Sequence, residues 1–371
     1  MQTDKRVREL WPDAPGDMTF YSVWEAPCLI HGVIPEGVAA RRFIRLPDDV
    51  VPHLSDIGKS HADRPTGMRA RVFTDAPAIA VCAKLQPGTP NAESASLRCL
   101  SGFDIYLGGA GQRRFTNVTA VPRNGECVAT TVCHVNNHNA ALRDWMVHFP
   151  CYTRVEEVYI GIPNGANIQT PPPYTYTDPV VFYGPSITQG ATCTRAGNTY
   201  PSVLSRWMNF DYINMGLSGS CLAEPELCHW LSKQKMSVLV YEYEHNAPDP
   251  AHLLATHEPF FKIIRAAQPD LPIVMLPRPN NNPDYFYIGE VARRKSIVYR
   301  TYENARKAGD QRVWYVDGDD LLAGPDPDAC TVDGSHPNDL GYFRMATAIA
   351  PALRAALLTS VKADAAWDDI D

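Results

Sequence analysis

From residue 179 onward, short apolar runs alternate with longer segments of helical composition. Five runs rich in β-branched and aromatic residues predict strands, at Val180–Tyr183, Tyr212–Met215, Val238–Tyr243, Ile273–Leu276 and Val313–Val316. The intervening segments predict helices, at Tyr200–Asn209, His252–Ala267 and Tyr287–Lys307, followed by a last helix at about Asp339–Thr359. Strands that alternate with helices form βαβ units and hence a parallel sheet. We therefore expect residues 179–360 to form a three-layer α/β/α domain around a parallel central sheet.

Residues 1–165 have a different pattern. Short segments separated by Pro, Gly, Asn and Asp predict strands, for example at Arg42–Leu46, Ala70–Thr74, Ala78–Val81 and Val155–Ile160. Several of them alternate apolar with polar residues, as half-buried strands do, and no helical period of useful length is visible. We expect an antiparallel, jelly-roll-like β-sandwich. The proline-rich residues 166–178 predict a linker, and residues 361–371 predict an acidic tail.

Composition excludes several classes of partner. The net charge of −7 argues against binding to a nucleic acid, and no apolar run approaches the roughly 18 residues that a membrane span needs. The polar N-terminus has no apolar core of a secretory signal, so a cytoplasmic location is expected. The 10 cysteines are scattered through a chain too large to need disulfides, which favours free thiols.

No cofactor is expected, and the sequence evidence for one possible metal site is weak. Cys127, Cys133, His134 and His138 are metal-ligating residue types, but their spacing matches no standard zinc pattern. We therefore expect no metal site.

Reactive side chains follow several of the predicted strands. Ser186 follows Val180–Tyr183 and the turn Gly184-Pro185, and Asp333 and His336 lie in the loop after the last strand. Because parallel strands end at one edge of the sheet, these residues can meet there. A serine becomes a nucleophile when a histidine takes its proton, and an aspartate can orient that histidine. Taken alone, the Gly-x-Ser sequence favours a helix N-cap role for Ser186.

An oxyanion needs hydrogen-bond donors at the same edge. The backbone N–H groups of Ser186 and Gly219 and the side-chain amide of Asn246 are the candidates, with Gly216 as a competitor of Gly219. A second Asp-x-x-His pattern, Asp249-Pro-Ala-His252, opens a predicted helix, so we interpret it as a structural N-cap.

Ser186, Gly219, Asn246 and His336, in this order, resemble the four hallmark residues of the SGNH (GDSL-like) hydrolase superfamily. The resemblance covers about residues 178–358 and favours Gly219 over Gly216. Upstream, Gly102-Phe103-Asp104-Ile105-Tyr106 is similar to the Gly-x-Asp-Leu-Tyr motif of a β-sandwich fused to one SGNH branch. Two departures stand out: Pro185 replaces the usual Asp before the serine, and the third block reads Glu-His-Asn-Ala in place of Gly-x-Asn-Asp.

The resemblance implies a metal-independent serine esterase, with a short acyl ester as substrate, in particular an acetyl group on a sugar. One alternative is a lipase-like or thioesterase activity on longer acyl chains, and another is a non-catalytic carbohydrate-binding protein on the same fold. The sandwich could bind carbohydrate, wall the active site or form a homo-oligomer interface. The sequence leaves these three roles open.

Overall fold

The structure, a computed structural model, describes residues 2–86, 95–119, 128–134, 141–280 and 289–360. In these ranges the strands form three sheets. Two antiparallel sheets come from the first part of the chain, and one parallel sheet comes from the second part. The predicted acidic tail and two members of the possible metal set, Cys127 and His138, lie outside the described residues.

The first part of the chain is an antiparallel sandwich, as predicted. Its strands are β1 Met18–Ser22, β2 Leu29–His31, β3 Arg69–Thr74, β4 Ala78–Leu85, β5 Asp104–Leu107, β6 Arg114–Val118, β7 Val128–His134, β8 Arg143–His148, β9 Val155–Pro163 and β10 Ile168–Gln169. One sheet has the order β1-β9-β4-β7, and the other has the order β10-β3-β8-β5-β6 with β2 also paired to β3. Alternate residues such as Val81, Val147 and Ile160 fill the space between the sheets.

Two expectations for this part were wrong. Arg42–Leu46 is an irregular segment and not a strand, because the buried Arg45 donates to backbone carbonyls of the second domain while Leu46 enters that domain's core. The sandwich also carries helices that are too short to show a period in the sequence, namely α1 Gln2–Leu10, α2 Pro35–Ala40, α3 Asp56–His61 and α4 Leu97–Ser101.

The second part of the chain forms a parallel sheet covered by helices, which confirms the predicted fold. Its strands are β11 Tyr176–Gly184, β12 Phe210–Gly216, β13 Val238–Tyr241, β14 Ile273–Met275 and β15 Val313–Tyr315, in the order β12-β11-β13-β14-β15. Its helices are α5 Ser186–Gln189, α6 Tyr200–Met208, α7 Pro225–Leu231, α8 Pro250–Ala267, α9 Glu290–Lys307 and α10 Asp339–Ser360. The strand β11 begins inside the stretch predicted as a linker, and β10 of the sandwich lies there too.

The parallel sheet has a core on each face, so the domain has three layers. Val180 and Phe182 of β11 pack with α6 and α10, while Val181 and Tyr183 pack with α7, α8 and α9. The chain passes from β11 to β12 on one side and then to β13 on the other. Ligands of open parallel sheets bind at such a reversal, outside the carboxyl ends of the strands.

The two domains share their cores and are joined by buried polar contacts. Leu54 of the sandwich packs into one core of the second domain, and Leu100 and Tyr152 pack into the other. Asp104, in the motif similar to Gly-x-Asp-Leu-Tyr, accepts the backbone N–H of Gly197 at 2.7 Å. Burial is the main influence on Asp104 and raises the pKa of its carboxyl to about 7.

Candidate active site

A sharp turn places Ser186 at the carboxyl end of β11. Pro185 is the N-cap residue of α5 with a φ of −84°, near the range that its ring imposes, so the departure from the usual Asp fits the turn. A Cβ on Gly184 would lie 2.1 Å from Oγ1 of Thr188, so only glycine allows the helix to start this close to the strand. Ser186 is only 7% exposed and opens α5 as its first residue.

Ser186, His336 and Asp333 form a continuous hydrogen-bonded chain. Nδ1 of His336 lies 2.7 Å from Oδ2 of Asp333, and Nε2 lies 2.8 Å from Oγ of Ser186. Because a carboxylate only accepts, the ring donates through Nδ1, and Nε2 is left to accept the serine proton. The structure therefore brings together the three residues that the sequence singled out, in the arrangement that activates a serine.

The loop that carries His336 is organised by its own residues. Oδ1 of Asp333 accepts the backbone N–H groups of Ser335 at 3.0 Å and His336 at 2.7 Å, and Gly334 has a φ of +80°. Burial pulls the pKa of Asp333 upward, but these bonds and the ring of His336 outweigh it and hold the pKa below its usual range. The side chains of His336 and Asp333 are still 29% and 39% exposed.

The possible oxyanion donors follow β11, β12 and β13. Within the described residues, the backbone N–H groups of Ser186 and Gly219 have no acceptor, and Gly219 has a φ of +67°. The N–H of Gly216 instead donates to Oδ1 of Asn214 at 2.8 Å, which removes Gly216 as the competing donor. Asn246 makes no side-chain hydrogen bond to any described residue, so its amide is free for a ligand.

His245 supports the loop of His336. Its Nε2 lies 3.2 Å from Oγ of Ser335, and its ring lies nearly parallel to that of His336 with centroids 6.3 Å apart. Burial, reinforced by Arg278, lowers the pKa of His245 to about 3, so the ring is neutral at working pH.

A buried carboxyl lies beneath α5. Oε2 of Glu242 accepts from the hydroxyls of Thr188 and, at 2.9 Å, Tyr200. Burial raises the pKa of Glu242 to about 7 despite these bonds. Thr188 belongs to α5, so this carboxyl ties the nucleophile helix to the centre of the sheet.

The second Asp-x-x-His pattern has the structural role that we predicted. Asp249 caps α8 by accepting the backbone N–H of His252 at 2.7 Å, and the ring of His252 lies 3.0 Å from the carbonyl oxygen of Leu222.

One cluster in the described part of the chain has metal-ligating side chains. The sulfur atoms of the buried Cys99, Cys151 and Cys193 lie within 4.8 Å of one another. Cys99 and Cys193 are only 3.2 Å apart, whereas two thiolates on one tetrahedral zinc ion are separated by roughly 3.8 Å. The cluster therefore fits thiol–thiol hydrogen bonds behind α5 better than a zinc site.

Sequence reasoning missed the residues that surround Ser218 and Gly219. Gln189 of α5 and Tyr152 of the sandwich both contact Ser218, and the half-exposed Ile57 of α3 lies beside Gly219. Gln189 stands within the serine block, but no local pattern marks Tyr152 or Ile57, because they reach the site only through the packing of the two domains.

Two family models match the chain. Residues 177–354 match the GDSL-like lipase/acylhydrolase family, and residues 18–168 match the N-terminal domain of SGNH-hydrolase-type esterases, known by its GxDLY motif. Residues 177–354 are therefore a GDSL-like acylhydrolase domain. The chain is thus a carboxylic ester hydrolase, and both parts of the predicted resemblance are confirmed.

Several solved structures have a fold similar to that of this chain. A protein described as a GDSL-like lipase from Bacteroides ovatus is 25% identical, with a TM-score of 0.80 over 92% of this chain and 98% of that chain. The salicylyl-acyltransferase SsfX3 from a tetracycline biosynthetic pathway is 16% identical, with a TM-score of 0.72 over 92% and 98%. The acetyl xylan esterase Est2A from Butyrivibrio proteoclasticus is 12% identical, with a TM-score of 0.58 over 92% and 99%.

No curated protein matches the chain in sequence. Among the described residues, there is no helix with the length and apolarity that crossing a membrane requires.

Proposed function

We propose that this acylhydrolase is a serine esterase that removes short acyl groups, in particular acetyl, from a carbohydrate. The observation that carries the proposal is the hydrogen-bonded chain from Ser186 through His336 to Asp333. The similarity in fold to an acetyl xylan esterase supports a sugar ester as substrate.

The geometry supports a two-step reaction. Oγ of Ser186 attacks the ester carbonyl carbon while Nε2 of His336 takes the serine proton. The C–O bond to the alcohol then breaks, and His336 returns the proton to the leaving oxygen. Water attacks the acyl-serine with His336 again as base, which releases the acid and regenerates Ser186. Asp333 keeps the imidazole in one tautomer and stabilises its charged form throughout.

The negative oxygen that forms in each step needs donors. We assign the backbone N–H groups of Ser186 and Gly219 and the side-chain amide of Asn246 to this role, since none of them is engaged by a described residue. Loss of one such donor is expected to lower turnover about a hundredfold.

The test is hydrolysis of 4-nitrophenyl acetate by the wild type and by Ser186→Ala. We expect the wild type to turn over and the variant to show only the background rate. The matched control is Ser296→Ala, on the exposed side of α9, which should keep wild-type activity. Equal, background-level rates for all three proteins would refute the esterase proposal.

The position of Ile57 favours a second class of substrate, esters with longer acyl chains. It is 53% exposed, and its Cγ2 would lie 3.5 Å from a Cβ on Gly219, so an apolar surface borders the oxyanion donors. Such a surface could contact a longer acyl chain. 4-Nitrophenyl esters with acyl chains of two to eight carbons distinguish a short-chain esterase from a lipase-like enzyme. In our proposal kcat/KM is highest for the acetate ester, whereas for a lipase-like enzyme kcat/KM rises with acyl-chain length. Release of acetate from acetylated xylan then tests whether the substrate is a carbohydrate ester.

A further inference from the structure

The residue that precedes the Gly219 donor is held at two points by one side chain. Oε1 of Gln189 accepts the backbone N–H of Ser218 at 2.9 Å and its hydroxyl at 2.8 Å. A serine hydroxyl has a single proton, so at its other contact Ser218 must accept. That contact is the hydroxyl of Tyr152, at 2.9 Å, and Tyr152 is therefore the donor.

The amide of Gln189 is itself oriented by the sandwich. Its Nε2 lies 3.1 Å from Nδ1 of His61 and 3.4 Å from the carbonyl oxygen of Cys151. An amide nitrogen only donates, so Nδ1 of His61 must be the unprotonated, accepting nitrogen. Burial, reinforced by Arg45 and Arg64, lowers the pKa of His61 to about 3, so the ring is neutral at working pH and has one unprotonated nitrogen that can accept this bond.

The sandwich also fixes the loop on either side of Gly219. Oγ of Ser220 lies 2.5 Å from Oγ of Ser55, and the guanidinium of Arg45 donates to the carbonyl oxygen of Gly216 at 2.6 Å. Between residues 216 and 220, the backbone N–H of Gly219 is the only one without an acceptor among the described residues. The fixed neighbours therefore determine where that N–H points.

We propose that the sandwich domain positions an oxyanion donor: Tyr152 and His61, acting through Ser218 and Gln189, hold the N–H of Gly219 in its catalytic orientation. The proposal rests on the proposed esterase function. In this proposal the sandwich contributes residues that support the active site. Tyr152 and His61 are positioning residues, since neither is assigned a contact with substrate.

The predicted signature is a loss of kcat with little change in KM. The oxyanion forms only in the transition state, so a displaced donor weakens the transition state and leaves ground-state binding alone. Displacements of about 1 Å can cost on the order of a hundredfold in rate. Loss of one of the supporting bonds should cost less than that.

The first experiment replaces Tyr152 by phenylalanine, which removes the donor and keeps the ring. For 4-nitrophenyl acetate we expect kcat to fall about tenfold while KM stays within twofold. The matched control is Tyr159→Phe in the same domain, which also loses one hydrogen bond, that to Glu157, but away from Ser218. Tyr159→Phe should keep the wild-type kcat.

A second pair of variants keeps the proposal testable if Tyr152→Phe folds poorly. The side-chain oxygen in His61→Asn can accept the bond that Nδ1 accepts, whereas His61→Leu cannot. We expect kcat within about threefold of wild type for His61→Asn and about tenfold lower for His61→Leu, at matched thermal stability. The rate at which diethyl 4-nitrophenyl phosphate modifies Ser186 should fall in parallel, because its phosphoryl oxygen uses the same donors.

The outcomes separate this inference from the function on which it rests. If the wild type shows no activity that depends on Ser186, the proposed function itself fails. If that activity is present but folded Tyr152→Phe and His61→Leu both keep the wild-type kcat, the esterase stands and the positioning role is overturned. A rise in KM at constant kcat overturns it as well.

Discussion

The two halves of the active site are held in place by different means. Ser186 is 7% exposed, and the backbone around it is packed so closely that a Cβ on Gly216 would lie 2.2 Å from the backbone nitrogen of Gln189. Asp333 and His336 lie in an exposed loop whose bonds mostly join residues within the same short segment. The nucleophile is thus fixed by tertiary packing, and the acid–base pair by local geometry.

The carboxyl groups of the two regions show the same contrast. Glu242, buried beneath α5, has its pKa raised to about 7 mainly by burial. The pKa of Asp333 is lowered because its hydrogen bonds outweigh a partial burial. The packed region therefore disfavours a negative charge, whereas the exposed loop keeps one beside His336.

The largest expected effect comes from Asp333→Asn in the exposed loop. The side-chain oxygen can still accept the backbone N–H groups, but the new NH₂ group faces Nδ1 of His336 and forces the wrong tautomer. We expect kcat to fall about a thousandfold with little change in melting temperature. The control is Asp249→Asn in the other Asp-x-x-His pattern, which should keep full activity because Asn also caps helices. Comparable losses in the two variants would contradict the assignment.

The next largest effect is on stability, and it compares an alanine substitution of one glycine in each region. Gly216→Ala would place a methyl group against the backbone of α5, and we expect it to lower the free energy of unfolding by about 4 kcal/mol. Gly334→Ala adds a methyl group to an exposed residue with a positive φ, a strain that costs about 1–2 kcal/mol. Urea denaturation of both variants measures the difference. Equal destabilisation would mean that the two regions are packed alike.

The smallest effect is on the pH dependence of stability. Because its folded pKa is raised, Glu242 favours the folded state below its unfolded pKa of about 4.5, and this contribution is lost as the pH rises to about 7. Glu242→Gln should remove that slope, which amounts to at most about 3 kcal/mol. Melting temperatures between pH 4 and 8 test it, with Glu303→Gln in α9 as control, since the Glu303 side chain is 44% exposed and pairs with Lys307 of the same helix. An unchanged slope in Glu242→Gln would show that this carboxyl does not titrate as described.

The same contrast explains what the sequence could reveal. Asp333 and His336 are three residues apart in one loop, and Ser186 directly follows a clear strand, so local patterns together with the order of the motifs along the chain marked them as candidates. The five strands of the parallel sheet were predictable for the same reason. Tyr152 reaches Ser218, and His61 reaches Gln189, only after the two domains have packed together, and no local pattern encodes such contacts. The short helices of the sandwich were missed because they span too few turns to show a period.

The central claim is that the packed region and the exposed loop together activate Ser186, and the identity of the activated nucleophile can be measured directly. Treatment with diethyl 4-nitrophenyl phosphate, followed by intact-protein and peptide mass spectrometry, reports which residue is the activated nucleophile. We predict one diethylphosphoryl group per chain, located on Ser186, with loss of esterase activity in proportion and almost no modification in His336→Ala. Modification of a different residue, or full esterase activity after Ser186 has been modified, would contradict the account.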